Sequence, residues 1–171
     1  MKLTKYKLGE VADISAGGDA PKNYTKYKTD ENTIPIYSNG VENEGLYGYT
    51  NYAKITKPAF TISARGTIGI SFRRYTPYVP IVRLLSILPT SNVVDLDYLY
   101  YYSKTILYGK DGSVQQQLTV PMLANIDIEL PDLDTQRCIA SVLATLDRKI
   151  ALNRQINQNL CARRVQTRSL A

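Results

Sequence analysis

The longest regular pattern of apolar positions lies in the last part of the chain. Pro131 closes the preceding segment, Asp132 or Asp134 can cap a first helical turn, and neither glycine nor proline follows. Over residues 130–160 the pattern predicts one helix roughly 45 Å long. Its apolar positions recur at steps of three and four, which gather on one helix face: Ile139, Val142, Leu143, Leu146, Ile150, Ile156 and Leu160.

This helix is longer than a small domain needs to cover its own core. We therefore interpret its apolar face as a seam between two copies of the chain. Asn153 and Asn157 interrupt the seam where apolar residues are expected. An asparagine at a core position of a coiled coil costs stability and fixes register or partner number. The alternative interpretation is a C-terminal helix packed on its own domain, with both asparagines exposed.

The preceding residues show shorter patterns that are bounded by turn residues. Apolar positions between Leu8 and Ile14 predict a helical turn that leads into a strand. A second helix is predicted with Asp95 as its N-cap and Gly109 as its stop. β-prone runs predict short strands within 34–40, 60–63, 68–72, 81–88 and 125–131.

The clearest hairpin is formed by the two runs between Phe60 and Phe72, with Arg65 at the exposed tip beside Gly66. Together the patterns predict an α+β protein. Residues 1–131 form a compact domain of short strands and a few helices, and residues 132–171 form a long C-terminal helix.

The residue inventory removes most catalytic classes. Histidine is absent, and the two cysteines, Cys138 and Cys161, lie too far apart within one helix to meet. Most zinc sites, Ser–His–Asp triads and Cys–His dyads are therefore excluded, and no metal site is expected. Neither a P-loop nor the signature of an adenine methyltransferase occurs. We interpret the chain as a binding module and not as an enzyme.

The positive charge is unevenly distributed. Residues 1–133 contain 14 Lys and Arg against 13 Asp and Glu, whereas residues 134–171 contain 7 against 2. A block without any acid, residues 45–94, suits a phosphate backbone, although a scattered, solvated surface is an equally good interpretation of charge alone. The basic residues of this block are Lys54, Lys57, Arg65, Arg73, Arg74 and Arg83.

Nothing in the sequence predicts a membrane or secreted location. No apolar run approaches the ~20 residues of a membrane span. The first ten residues lack the apolar core of a signal peptide. A cytoplasmic location is therefore expected.

Three stretches resemble the DNA-specificity subunits of type I restriction–modification systems. "LGEVADISAGGDAPK" is similar to the start of a target-recognition domain, and "IPIYSNG" followed by "FTISARGTIG" is similar to a strand-and-hairpin pattern of the family. The third stretch, residues 128–160, resembles the family's long helix with its "P-x-L-x-x-Q-x-x-I" start. The resemblance covers nearly the whole chain.

The resemblance implies a sequence-specific, non-catalytic reader of double-stranded DNA. Subunits of this family hold a modification subunit that methylates adenine with S-adenosylmethionine, and a restriction subunit that uses ATP; these cofactors and Mg²⁺ belong to the partners. A full subunit has two recognition domains, with helices paired as an antiparallel coiled coil. This chain, with one domain and one helix, resembles a half-subunit, so a homodimer and a bipartite target with two inverted half-sites are expected.

The resemblance also directs attention to the loops that carry polar and basic side chains. The expected base-contacting residues are Lys22, Asn23, Tyr24, Ser38, Asn39, Arg65, Thr67, Gln115, Gln116 and Gln117. The expected phosphate contacts, which position the DNA without specifying its sequence, are Lys54, Lys57, Arg73 and Arg74. The expected dimer seam consists of Ile139, Val142, Leu143, Leu146, Ile150, Asn153, Ile156, Asn157 and Leu160.

Two other functions fit the sequence. A stand-alone nucleic-acid-binding regulator with a coiled-coil seam would bind its target tightly without partners. A decoy that binds the methyltransferase would lower methylation by a complete complex when added in excess.

Overall fold

The computed structural model describes residues 2–106 and 117–168, with side chains as far as Leu160. It contains nine strands and four α-helices within these ranges. In chain order they are β1 Thr4–Lys7, α1 Leu8–Val11, β2 Ala12–Ala16, β3 Ile34–Tyr37, β4 Leu46–Thr50, β5 Ala59–Ile62, β6 Ser71–Arg74, β7 Val79–Pro80, β8 Leu85–Pro89, α2 Leu96–Ser103, α3 Val120–Ala124, β9 Asp127–Leu130 and α4 Leu133–Arg168. The α+β class that the sequence predicts is confirmed.

The strands form three small sheets. The largest is antiparallel in the order β2-β8-β5-β6, and the second has the order β4-β3-β7, with β3 and β7 parallel. The third joins β1 to β9, so the first strand of the domain pairs with the strand that precedes α4. All four residues of β5 are buried, as a strand with neighbours on both sides requires.

The main core lies between the four-stranded sheet and helices α1, α2 and α3. Phe60 and Ile62 of β5 pack there with Leu99 of α2 and Leu123 of α3, and each is at most 1 % exposed. A smaller cluster around Ile36 joins β3 to β7. The α3 helix was not predicted from the sequence, because its five residues are too few to show a helical period.

Local signals placed several elements correctly. The helical turn leading into a strand is confirmed as α1 and β2. Asp95 caps α2, since its carboxylate accepts a hydrogen bond from the Tyr98 N–H at 2.9 Å. Asp132 caps α4 in the same way, accepting from the Thr135 N–H at 2.9 Å. The stop predicted at Gly109 lies outside the described residues.

Two strand predictions needed correction. The hairpin is confirmed, but β5 and β6 end earlier and begin later than predicted, so that its connection spans residues 63–70. The strand predicted from Ile81 to Leu88 begins only at Leu85, because the chain reverses direction at Val82 and Arg83. Neither residue type normally forms a turn, so the sequence pattern gave no sign of this reversal.

The α4 helix packs on the domain only through its first part. Gln136 and Ala140 are buried, whereas every residue from 148 to 160 is exposed. The alternative of a helix packed on its own domain therefore holds only for this first part, and Asn153 and Asn157 are exposed as that alternative expects. At 36 residues the helix is about 54 Å long. No helix in the described part of the chain is both long and apolar enough to cross a membrane.

Candidate nucleic-acid interface

Three loops meet at the side chain of Asn39. Its Oδ1 accepts the Ala64 N–H at 2.7 Å, and its Nδ2 donates to the Val82 carbonyl at 2.6 Å. The Ala64 carbonyl in turn accepts the Leu118 N–H at 2.9 Å. One amide thus fastens the hairpin tip to the β7–β8 turn, and the segment after residue 116 is fastened to the same tip. Asn39 was predicted to contact a base; in this structure it holds the loops together.

The β7–β8 turn is strained. Val82 and Arg83 have φ values of +52° and +60°, and the Leu84 N–H donates to the Ile81 carbonyl at 3.0 Å, as in a type I′ turn. This left-handed conformation costs an L-residue roughly 1–2 kcal/mol, and a β-branched valine adopts it rarely. Strain of this kind concentrates at functional sites, where the surrounding structure maintains it.

The surrounding structure here is the first glycine-rich loop. The Val82 N–H donates to the Gly18 carbonyl at 2.8 Å, and the Arg83 N–H donates to the Gly17 carbonyl at 3.0 Å. A Cβ on Gly17 would lie 2.7 Å from the Ile81 backbone nitrogen, so only glycine allows this approach. The Gly-rich stretch that the sequence singled out therefore supports the strained turn.

The three fastened loops bring two arginines to one acceptor. Arg65 donates to Gln117 Oε1 from Nε at 3.0 Å and from Nη2 at 2.6 Å, and Arg83 donates to the same oxygen from Nη1 at 3.4 Å. We call Arg65, Arg83 and Gln117 the arginine cluster. Arg65 and Arg83 are exposed. None of the ion pairs formed among the described residues involves either arginine.

The first predicted contact loop begins beside the β7–β8 turn and then runs to β4. It leaves the turn at Gly18 and ends at Thr25, whose backbone pairs with Tyr49 of β4. Lys22, Asn23 and Tyr24 are exposed. The Tyr24 ring packs on Tyr47 with centroids 5.2 Å apart, and their hydroxyls lie 3.2 Å apart.

The other predicted contacts are dispersed. Ser38 is half-buried, whereas Thr67 is exposed in the hairpin connection. Lys54 and Lys57 are exposed and line a cavity of about 370 Å³ with Leu88 and Pro89 at the end of β8. The Lys54 ammonium also lies close to Gly18, since a Cβ added there would be 3.9 Å from Nζ. Gln115 and Gln116 lie outside the described residues.

Arg74 does not belong to a DNA surface. Its side chain is 3 % exposed and pairs with Glu44 at 2.9 Å, and its guanidinium carbon lies 3.5 Å from the centre of the Tyr37 ring. Burial lowers the pKa of Arg74, while Tyr37 and Glu44 oppose that shift. Because this guanidinium is enclosed and already paired, the prediction of a phosphate contact at Arg74 is corrected to a structural role.

Arg73 is also occupied within the protein. It donates to Asp97 at 3.3 Å and to the Tyr101 hydroxyl at 3.2 Å, both on α2, and to Asp147 of α4 at 3.5 Å. The Tyr101 hydroxyl itself donates to Asp147 at 2.7 Å. Burial, together with the bond to Asp147, raises the pKa of Tyr101 to about 12, so the hydroxyl remains a donor at neutral pH. Arg73 thus fastens the long helix to the domain. The prediction of a phosphate contact at Arg73 is corrected to this structural role.

The start of α4 is fixed by a buried glutamine. Gln136 donates from Nε2 to the carbonyls of Val93 and Pro131, each at 2.8 Å, and accepts the Asp95 N–H at 2.9 Å. All of its hydrogen-bonding groups are therefore used, although the side chain is fully buried. This explains in physical terms why the "P-x-L-x-x-Q-x-x-I" pattern carries a glutamine there.

The predicted seam of α4 divides into two parts. Ile139 and Leu143 are half-buried in the region that packs against α2, so they serve the domain at least in part. The remaining members are exposed, and the apolar ones are 46–56 % exposed. At roughly 100° per residue, Val142 lies about 140° around the helix from the midpoint of Gln136 and Ala140, Leu146 about 100° and Ile150 about 60°. The exposed row thus approaches the side of Gln136 and Ala140 only where α4 no longer packs on the domain.

Sequence reasoning missed two arrangements that involve arginine. Arg83 was counted in the acid-free block but was not assigned a role, since its position depends on a turn with no turn-forming residue. The Arg73 contacts were missed because Asp97 and Asp147 lie far away in sequence. No local signal could have found either arrangement.

The sequence comparisons agree with this architecture. A family model described as the type I restriction modification DNA specificity domain matches residues 2–162. A protein named as a type I specificity subunit of Mycoplasma pneumoniae is 35% identical over 142 residues, which is 82% of this chain and 42% of that protein. The chain therefore belongs to the type I restriction modification DNA specificity domain family, and the resemblance seen in its motifs is confirmed.

Solved structures show the same fold. The type I S subunit from M. genitalium superposes with a TM-score of 0.69 at 18% identity, covering 88% of this chain and 40% of that one. The HsdS subunit from Thermoanaerobacter tengcongensis gives a TM-score of 0.66 at 22% identity, covering 88% and 38%. The chain thus spans about two fifths of the length of each of these three proteins.

Proposed function

We propose that this chain is a DNA-reading subunit that directs a modification subunit to methylate adenine, and a restriction subunit to cut, at a bipartite sequence. The domain would read one half-site through the loops around the arginine cluster. Two copies would pair through α4, and the paired helices would set the distance between the half-sites. S-adenosylmethionine, ATP and Mg²⁺ would be bound by the partner subunits.

The observation that carries this proposal is the unpartnered apolar seam of α4. Val142, Leu146 and Ile150 are each about half exposed, on a helix whose residues beyond Asp147 do not pack on the domain. A row of exposed apolar residues at intervals of four indicates a helix–helix interface. Asn153 and Asn157 lie along the same row, and we assign them the fixing of register between the two helices.

Replacing Leu146 and Ile150 by Asp tests the pairing. Two charges in the seam should convert a dimer into monomers in analytical ultracentrifugation, because they would be buried without partners. Methylation of duplex DNA in the presence of a type I modification subunit from the same organism should fall as the dimer is lost. A dimer that persists in the variant would show that the interface lies elsewhere.

A matched control comes from the same stretch of helix. Ala151 and Gln155 are exposed, four residues apart, and lie on the side of α4 turned away from the seam. Replacing both by Asp adds the same charge at nearly the same place and should leave the dimer intact. Tight, sequence-specific DNA binding by the unpartnered chain, without any methylation when the modification subunit is added, would instead favour a stand-alone regulator.

A further inference from the structure

The arginine cluster has the features of an anion-binding site. Two guanidinium groups point three N–H donors at one neutral amide oxygen, Gln117 Oε1. Like charges placed side by side repel, and an amide oxygen compensates them only in part because it carries no net charge. An oxygen with a full negative charge would satisfy the same donors better, since hydrogen bonds between charged groups are about twice as strong as neutral ones.

The position of both arginines is fixed by the backbone. Asn39 bonds the residue before Arg65 and the residue before Arg83, so one side chain sets the separation of the two. Gly17 and Gly18 hold the strained turn in place through two further backbone hydrogen bonds. A strained turn that is held by three hydrogen bonds from two other loops and carries an exposed arginine indicates a binding role for that arginine.

We propose that Arg65 and Arg83 together bind one phosphate of the DNA backbone, and that Gln117 Oε1 occupies the place of a phosphate oxygen in the free protein. Arg83 is thereby assigned to the interface, and Arg65 becomes a phosphate contact instead of a base reader. This inference rests on the proposed function only in taking DNA as the ligand. A guanine edge is the other acceptor that arginine recognises, and the test separates the two.

The main variant is Arg83→Gly. Glycine adopts a positive φ without strain, so the variant should fold and its Tm should rise by roughly 2–4 °C. Its affinity for duplex DNA should nevertheless fall roughly tenfold, on cognate and unrelated sequences alike, because a phosphate contact carries no sequence information. The slope of log K against log salt concentration should decrease in magnitude by about 1.

A substitution at Gln117 provides an independent test of the phosphate site. Gln117→Glu places a carboxylate between the two arginines, where it would pair with both and exclude a phosphate. DNA affinity should fall further than in Gln117→Ala, by at least about tenfold, while Tm should not decrease. Lys5→Ala is the charge-matched control, because Lys5 is exposed on β1 and contacts none of the loops of the cluster.

Binding is measured by fluorescence anisotropy with the chain and its modification subunit, over a salt series, on cognate and unrelated duplexes. Unchanged affinity and salt slope in Arg83→Gly would overturn the inference. A changed recognition sequence with an unchanged salt slope would also overturn it, by showing a base contact. If the wild-type complex methylates no sequence, the proposed function fails, but the loss on unrelated duplex still tests the phosphate site separately.

Discussion

Two pairs of arginines in the same acid-free stretch make different contacts in the folded protein. Arg73 and Arg74 lie on β6 and are paired with carboxylates of the protein, whereas Arg65 and Arg83 lie in loops and share only an amide oxygen among the described residues. The carboxylates come from outside the stretch, namely Glu44, Asp97 and Asp147. A run of basic residues therefore does not identify a DNA surface until the acids that fold against it are known.

The two pairs also differ in what surrounds them. The β6 arginines lie against aromatic rings, Arg74 on Tyr37 and Arg73 on Tyr100 at 4.7 Å. Such contacts stabilise a desolvated cation within the fold. Among the described residues the loop arginines lie against no aromatic ring, and they are exposed to water, where they are available to an incoming anion. Substitutions in the first pair should therefore lower stability, and substitutions in the second should lower DNA binding.

The largest effect on stability is expected from Arg74→Ala. The change removes a buried cation, its bond to Glu44 and its packing on Tyr37, and it leaves a cavity in the domain. We expect the free energy of unfolding to fall by about 2–3 kcal/mol, less than for a fully buried pair because Glu44 is largely exposed. Urea denaturation measures this change in the free energy of unfolding.

The matched control is Arg65→Ala, which should change the free energy of unfolding by no more than about 0.5 kcal/mol. The comparison between the two pairs fails if Arg65→Ala destabilises the protein as much as Arg74→Ala. Arg65→Ala should lower methylation far more than it lowers association with the modification subunit.

A smaller effect is expected from Arg73→Ala. The bonds of Arg73 to Asp97 and Asp147 are partly exposed and screened by water, so the loss should be about 1 kcal/mol. The loss should be local, because Arg73 fastens α4 to α2. Hydrogen exchange of the amides between Leu133 and Asp147 should therefore accelerate more than that of the β5 amides.

Arg148→Ala controls for the loss of charge, since Arg148 is exposed on α4 and bonds only to Thr145 in the described structure. Equal acceleration of exchange in both variants would show that Arg73 does not fasten the helix. If Arg73 sets the direction of α4, methylation at a site of fixed spacing should also fall in Arg73→Ala and not in Arg148→Ala.

The sequence predicted those features that depend on neighbouring residues. The caps at Asp95 and Asp132 need only a side chain and the next helical turn, and the apolar period of α4 is visible in one stretch of chain. Features that join distant segments could not be predicted. Arg74 lies 30 positions from Glu44, and Arg65 lies 52 positions from Gln117.

The candidate site was predicted in outline only. Arg65 at the hairpin tip and the late loop with Gln117 are brought together as neighbours, and the loop of Lys22, Asn23 and Tyr24 begins beside them. Asn39 turned out to hold the loops in place. Arg83 was missed because its turn forms from residues that disfavour it. The turn is maintained by the bonds of Val82 to Gly18 and of Arg83 to Gly17, which lie 64 and 66 positions earlier in the chain.

The central claim is that two copies of this chain read one bipartite site through a paired helix. It is tested most directly by mapping methylated adenines in the genome of cells that carry this chain and its modification subunit and no other specificity subunit. We predict a single motif of two identical, inverted half-sites separated by a spacer of fixed length. A motif without two-fold symmetry, a variable spacer, or no methylation that depends on this chain would contradict the claim.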